Sequence, residues 1–339
     1  MVGDVGHFFS ARRGAPGGGE RMVELPAIPA DDERLAVFSS VRDLFRYAVS
    51  RFNGADLAYG HGATNAVDEA AFIVLEGLKL PIDALDPFLD ARLTRAERAR
   101  LIALIDARVA TRKPAAYLLN RAYIQGVPFY VDERAIVPRS FIGELLFHGL
   151  VGPGAPIDDA GAIESALDLC AGGGSLAILA ACVFADAKVD AVELSADALA
   201  VARRNVEEHD LAERVTLYQG DLFAPLGGKR YDLILANPPY VDAESIAAFP
   251  PEYAAEPRLA HEGGRDGLDI VRRILAEAGA YMTQEGVLVC EVGRARARVE
   301  TAYPDLPFLW LDAEESEVDG EVFVLRARDL APRKRAKRG

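Results

Sequence analysis

The stretch "LDLCAGGGSLAILAA", residues 167–181, has the pattern of a strand, a tight turn and a helix. Three consecutive glycines separate an apolar segment that contains Asp168 from a longer apolar run. Glycine permits a tight turn and lets the backbone approach a ligand at the start of the following helix. Such a turn also occurs in ordinary loops. Its spacing is not GxGxxG, and no P-loop lysine follows, so triphosphate binding is disfavoured.

The chain downstream of residue 165 alternates short apolar segments with helical patterns. This order predicts an α/β fold with a doubly wound, mostly parallel, seven-stranded sheet whose last two strands pair antiparallel. The seven predicted strands lie near residues 165–170, 188–194, 214–219, 231–236, 286–292, 308–311 and 321–327.

The chain upstream of this sheet has a different character. Residues 1–36 are rich in glycine, proline and charge, which predicts a disordered extension. Helical periodicity follows over 37–115, with Ser40, Asn65 and Thr94 as predicted N-caps, and it indicates a small all-α domain. Alternating residues around Gly126 then predict a linking β-hairpin over 116–140.

The amino-acid composition argues against several classes of protein. The chain has 339 residues, three cysteines and a formal net charge of -14. The odd cysteine count without metal-ligand spacing argues against a disulfide framework or a zinc site. The sequence also has no signal peptide and no apolar run of membrane-spanning length, so we expect a cytoplasmic protein. An acidic surface disfavours a nucleic-acid substrate. The basic tail, 331–339, is interpreted as solvated, with contact to ribosomal RNA as the alternative.

Acidic residues follow the next two predicted strands. Glu193 lies 21 residues after Gly172, a separation at which a carboxylate can accept hydrogen bonds from the ribose of a nucleoside cofactor. Asp221, with Leu222 or Phe223, is placed to contact an adenine ring. A helix-terminal charge and a turn aspartate are the plain alternatives. A dinucleotide and S-adenosylmethionine both remain open as the cofactor.

The motif "NPPY", residues 237–240, ends the fourth predicted strand. Each proline restricts the residue before it and fixes its own φ, and Pro239 brings no N–H into the site. The side-chain oxygen of Asn237 and the carbonyl of Pro238 are therefore two rigid acceptors for a planar NH2 group, with Tyr240 placed to stack beside it. Acceptors arranged for a pyramidal nitrogen favour methyl transfer without a general base.

These motifs together resemble the S-adenosylmethionine-dependent glutamine N5-methyltransferases of release factors and ribosomal proteins. The resemblance rests on "DLCAGGG" (168–174), "ANPPYV" (236–241) and "RAYIQGVPFYVDERAIVPRSFIGELL" (121–146), and it covers about residues 37–328. The segment "VRDLFRYAVSRFNGADLAYGHGATNAVDEA" (41–70) is most similar to the branch that modifies large-subunit ribosomal protein three.

The resemblance implies a Rossmann-like methyltransferase domain over 141–330, S-adenosylmethionine as the cofactor and a ribosomal protein as the substrate, which the helical domain recognises. It also implies roles for particular residues. The methionine side of the cofactor is assigned to Asp168, Gly172 and Gly174, the ribose to Glu193, the adenine to Asp221 and Leu222, and the substrate amide to Asn237, Pro238, Pro239 and Tyr240, with Asn237 also beside the cofactor. Family segments near the site match at Glu144, Gly263, Gly264, Asp266 and Gly267.

Three positions depart from the family pattern. Gly173 stands where serine is usual, which predicts a looser loop, Glu193 stands where aspartate is common, and Phe141 stands where the most similar branch often has proline. Three alternatives stay open: a release-factor glutamine methyltransferase, an adenine N6-methyltransferase of DNA or RNA, and a regulatory module with a nucleoside pocket. The last is disfavoured because the "NPPY" motif, including Asn237, is intact.

Overall fold

The computed structural model describes residues 25–314 and 320–330 and contains two compact units. Among the described residues, the sheet unit comprises Arg134–Ala248, 257–314 and 320–330, and the helical unit comprises 25–133 together with Phe249–Glu256. Residues 1–24 of the predicted N-terminal extension and the basic tail lie outside the described residues, whereas helical structure begins at Arg34.

The described part of the helical unit contains five α-helices, and its core is formed mainly by their apolar faces. The predicted N-caps are confirmed: Ser40 and Thr94 each form a reciprocal capping box, and the Asn65 side chain accepts hydrogen bonds from two backbone N–H groups. Each such cap stabilises a helix by about 1 kcal/mol. The helices are α1 (Arg34–Val37), α2 (Val41–Gly54), α3 (Ala66–Leu78), α4 (Arg95–Thr111) and α5 (Ala115–Leu119), and a 3₁₀ turn spans Asp86–Phe88.

The predicted hairpin is confirmed but is shorter than its sequence pattern. Strand β1 (Ala122–Ile124) pairs antiparallel with β2 (Val127–Phe129). The two loop residues, Gln125 and Gly126, both have positive φ, as a type I′ hairpin turn requires.

The seven-stranded sheet confirms the predicted fold class. Its spatial order is β5-β4-β3-β6-β7-β9-β8, with parallel pairing from β5 to β7 and antiparallel pairing of β9 with both β7 and β8. The strands are β3 (Ser165–Leu169), β4 (Lys188–Glu193), β5 (Val215–Gln219), β6 (Tyr231–Ala236), β7 (Met282–Glu291), β8 (Leu309–Leu311) and β9 (Val322–Arg326).

Helices connect the strands of this unit. They are α6 (Phe141–His148), α7 (Ser175–Val183), α8 (Ala196–Glu208), α9 (Ala243–Ala247), α10 (Asp269–Glu277), α11 (Arg296–Ala302) and α12 (Ala327–Leu330). Short 3₁₀ turns lie at Ala160–Ala162, Ala224–Leu226, Pro251–Ala255, Arg258–Ala260, Ala278–Ala280 and Gly293–Ala295. Among the helices of the described chain, none has both the length and the apolar character that a membrane span requires.

The strand register determines which residues share the carboxyl edge of the sheet. Leu169 on β3 pairs with Ala236 on β6, and Ala236 pairs with Cys290 on β7. The residues that follow these three positions therefore emerge side by side. The order in which successive strands are added along the sheet reverses between β3 and β6. Ligands of open α/β folds bind at such a topological switch point.

Candidate active site

The turn after β3 has the conformation that its glycines make possible. Gly172 and Gly174 have φ angles of +53° and +79°, a region that other L-residues rarely adopt. Gly174 also lies against α8, because a Cβ added to it would lie 3.1 Å from the Cβ of Ala202. The carbonyl of Gly173 accepts a hydrogen bond of 2.9 Å from the Asn205 amide, so α8 also restrains the middle of the turn.

Asp168 is the buried acid beneath this turn. Its Oδ2 accepts a hydrogen bond of 2.9 Å from the backbone N–H of Ala177, whereas its Oδ1 is buried without a partner among the described residues. Burial raises the pKa of Asp168 to about 8, with Glu193 adding to the increase. Leaving a buried polar atom unpaired costs about 1–3 kcal/mol. The free oxygen is therefore suited to a ligand that donates a hydrogen bond or carries a positive charge.

Glu193, the last residue of β4, braces the same turn. One carboxylate oxygen accepts from the backbone N–H of Gly172 and the other from that of Ser195, each at 2.8 Å. An ionised carboxylate has about four lone-pair positions, so each oxygen keeps one for a hydroxyl donor. The side chain is buried, which holds it in place before any ligand arrives.

The loop after β5 separates the residues that were expected beside an adenine. Asp221 is exposed and its carboxylate accepts a hydrogen bond of 2.8 Å from Arg273 on α10. Leu222 is largely buried in the core of the sheet unit. Phe223 is fully buried and stacks on Tyr281 with ring centroids 4.6 Å apart. Phe223 is thus a core residue, and its predicted role against an adenine ring is wrong because it has no free face.

The turn after β6 presents acceptors without donors. Asn237 is half-buried and Pro238 is buried. Within the described part of the chain, neither the Asn237 side chain nor the Pro238 carbonyl has a hydrogen-bond partner. The two prolines contribute no N–H. This turn therefore offers two unsatisfied neutral oxygens at the carboxyl edge.

Tyr240 is packed against three glycines. A Cβ on Gly267 would lie 2.3 Å from the Tyr240 carbonyl oxygen, and one on Gly263 would lie 2.8 Å from its Cα. A Cβ on Gly293 would lie 2.6 Å from Cε2 of the Tyr240 ring. Since real Cβ atoms do not approach this closely, only glycine fits at these positions. The resemblance indicated the importance of Gly263 and Gly267, whereas no sequence argument indicated Gly293.

Glu291, the last residue of β7, lies next to the Tyr240 hydroxyl and is almost fully buried. Its Oε1 accepts from the Tyr240 hydroxyl at 3.2 Å, and its Oε2 accepts from the Ser140 hydroxyl at 2.6 Å and the Phe141 N–H at 3.0 Å. Burial raises the pKa of Glu291 to about 7. Sequence reasoning missed this residue, although an acid within the apolar run "GVLVCEV" is the signal that points to it.

This chain is similar in sequence to known methyltransferases. The family model described as "Methyltransferase small domain" matches residues 157–249. A ribosomal protein uL3 glutamine methyltransferase from Bradyrhizobium diazoefficiens is 60% identical over 85% of this chain and 91% of its own length. A protein of the same name from Burkholderia pseudomallei is 53% identical over 86% of this chain and 96% of its own length.

The chain belongs to the ribosomal protein uL3 glutamine methyltransferase family. Its membership confirms the resemblance predicted from the sequence and makes it a methyltransferase. A solved methyltransferase from Pyrococcus furiosus is 18% identical and aligns with a TM-score of 0.44 over 66% of this chain and 97% of its own length.

The remaining predicted residues of this methyltransferase lie as follows. The Glu144 carboxylate on α6 accepts a hydrogen bond of 2.6 Å from the Glu314 N–H. Asp266 pairs with Arg272 near the start of α10. A Cβ on Gly264 would collide with the Asp269 side chain. Register brings the ends of β3, β6 and β7 together, whereas the Asp221–Arg273 pair is exposed at the surface.

Proposed function

We propose that this protein transfers a methyl group from S-adenosylmethionine to the side-chain nitrogen of a glutamine in ribosomal protein uL3. The observation that carries the proposal is the turn at 237–238, where two acceptors lack any partner among the described residues. A primary amide brings two N–H donors in one plane, so it satisfies both acceptors at once. The similarity to uL3 glutamine methyltransferases supports uL3 as the substrate.

The residues around the β3 turn fit the cofactor. The unpartnered buried Oδ1 of Asp168 suits the ammonium group of the methionine part, and the free lone pairs of Glu193 suit the ribose hydroxyls. The positive-φ glycines leave the turn without side chains that would exclude a ligand. When bound, S-adenosylmethionine supplies an electrophilic methyl group on a sulfonium. We propose that the cofactor also contacts Gly172, Gly174, Asp221 and Leu222.

The chain's own contribution to the reaction is positioning. Asn237 and the Pro238 carbonyl hold the two amide protons, and Tyr240 lies beside the substrate group, with Pro239 keeping the turn extended. Acceptors that suit a pyramidal nitrogen weaken amide conjugation and release its lone pair toward the methyl group. Positioning of this kind promotes the attack without a general base, and as the N–CH3 bond forms and the methyl–sulfur bond breaks, the amide nitrogen releases one proton to solvent.

The test is methyl transfer with defined substrates. Purified protein is incubated with methyl-labelled cofactor and unmethylated uL3, a release factor, or adenine-containing single-stranded DNA, and the labelled residue is identified by mass spectrometry. We expect label on one glutamine of uL3. Label on the release factor alone, or on adenine, contradicts the proposed substrate. The net charge of -14 favours the protein substrates over nucleic acid.

A further inference from the structure

Glu291 is the most deeply buried acid whose side chain reaches the proposed amide-binding turn. It is 1% exposed, and its three hydrogen-bond donors come from two separate places in the chain. Tyr240 follows β6, Ser140 caps α6, and Phe141 begins α6. An ionised carboxylate only accepts hydrogen bonds, so this set of three donors is complementary to the charged form.

The orientation of Tyr240 depends on this acceptor. Its backbone is fixed by Gly263 and Gly267 and its ring lies against Gly293, while its hydroxyl is held only by Glu291 among the contacts of the described chain. Burial and the adjacent Glu291 raise the pKa of Tyr240 well above its usual value, so the phenol remains a neutral donor. The other charged groups that act on this pair are Arg139 and Glu321.

We propose that Glu291 is a positioning residue for methyl transfer, holding the Tyr240 hydroxyl so that the ring stays aligned beside the acceptor turn. This inference rests on the proposed function, because it concerns the same substrate group. Glu291, at the end of β7, would thus contribute to the reaction although it lies outside both the glycine turn and the "NPPY" motif. Protonation of Glu291 adds an O–H donor to one of its oxygens and removes the negative charge that strengthens all three hydrogen bonds.

The kinetic test is a double-mutant cycle at pH 8. Tyr240→Phe removes only the hydroxyl, Glu291→Gln removes the charge and replaces one acceptor oxygen with an NH2 donor, and Ser140→Ala is the control that removes a different donor from Glu291. We expect about tenfold lower kcat for each of the first two changes, and a double variant no more than about twofold slower than the slower single variant. Multiplied effects of about 100-fold, or a wild-type kcat for Glu291→Gln, overturn the inference.

A spectroscopic test separates this inference from the proposed function. The ring carbon that bears the hydroxyl is labelled with ¹³C in tyrosine, and the Tyr240 signal is assigned with Tyr240→Phe. In the wild type, we expect the chemical shift of this signal to change with pH, with a midpoint near the Glu291 pKa of about 7. In Glu291→Gln we expect no change with pH, whereas in Glu321→Gln the signal still titrates.

The two possible failures give different results. A Tyr240 signal that stays flat between pH 5 and 9 in a protein that methylates uL3 overturns the positioning role alone. A signal that titrates normally in a protein that methylates no glutamine supports the Glu291–Tyr240 link and overturns the proposed function. Unchanged cofactor affinity in Glu291→Gln, measured by calorimetry, shows that the variant has kept its fold.

Discussion

The turns after β3 and β6 lie at the same edge of the sheet but are built in opposite ways. The β3 turn is shaped from within, by two positive-φ glycines, of which Gly172 donates its N–H to Glu193, and Oδ1 of Asp168 has no partner among the described residues. The β6 turn is shaped by prolines and by glycines elsewhere in the chain that press on Tyr240, and its free acceptors are neutral. The first turn suits a cation and the second suits an amide.

We expect the largest effect from a substitution in the glycines that pack against Tyr240 and hold the β6 turn in place. In Gly267→Ala, the new Cβ would lie 2.3 Å from the Tyr240 carbonyl oxygen at a φ of +79°. The backbone of the turn must therefore move. Because a displacement of about 1 Å costs on the order of 100-fold in rate, we expect kcat to fall by about that factor. Steady-state methyl transfer measures it.

A matched control separates crowding from backbone strain. Gly227 also has a positive φ, of +60°, but nothing lies within 4 Å of its Cβ position. Gly227→Ala therefore has the strain without the collision, and we expect a small loss of stability with kcat unchanged. Equal losses of kcat in the two variants contradict the assigned role of Gly267.

The β3 turn is tested through Asp168. In Asp168→Asn, an amide that cannot ionise replaces the carboxyl group that a cationic ligand would find there, while shape and volume are retained. Hydrogen bonds to charged groups contribute about 1.5–3 kcal/mol, so we expect cofactor affinity to fall by about 10- to 100-fold. Calorimetric titration with S-adenosylhomocysteine checks this. Affinity within twofold of the wild type contradicts the assignment of Asp168 to the cofactor.

The same substitution has a pH-dependent effect on stability without cofactor. Burial raises the Asp168 pKa from 3.8 to about 8, so the unfolded chain binds fewer protons between these values and the wild type loses stability as pH rises through them. Asp168→Asn does not titrate. We expect its free energy of unfolding, relative to wild type, to rise by about 3–4 kcal/mol from pH 5 to 8. Denaturant unfolding at several pH values measures this, and a pH-independent difference contradicts it.

The smallest effect is expected at the middle of the β3 turn. The sequence comparison predicted that Gly173 loosens this loop, yet its carbonyl is held by Asn205 and its φ is not positive. A Cβ there would lie 3.5 Å from Val201 and 3.6 Å from the Asn205 amide, which is ordinary contact. We expect Gly173→Ser to change cofactor affinity less than about twofold and to stabilise the fold by up to about 1 kcal/mol. A large affinity change would show that Gly173 itself is required.

Local patterns predicted most of the fold. The seven strands, the glycine turn and the three N-caps each depend on neighbouring residues, so a short window of sequence contains the signal. The Glu291 bonds to Tyr240 and Ser140 span 51 and 151 residues, and periodicity carries no information about such pairs.

The assignment of Phe249–Glu256 to the helical unit was missed for the same reason. Glu252 in this segment is fully buried and pairs with Arg112 at 2.7 Å and with the N–H of Ala58, a residue 194 positions earlier. Nothing in the local sequence shows which helix such an acid will meet. The chain therefore leaves the sheet unit after the "NPPY" motif and returns at Pro257, an excursion that its composition does not mark.

The most direct test of the account is Asn237→Ala, with cofactor affinity and methyl transfer measured on the same preparation. The change removes one of the two neutral acceptors and leaves the Asp168 turn intact. We predict that S-adenosylhomocysteine binds within about twofold of wild type, while methylation of uL3 falls by at least about 100-fold, as expected for a lost transition-state contact. Wild-type methylation by this variant would contradict the assignment of the β6 turn as the amide clamp.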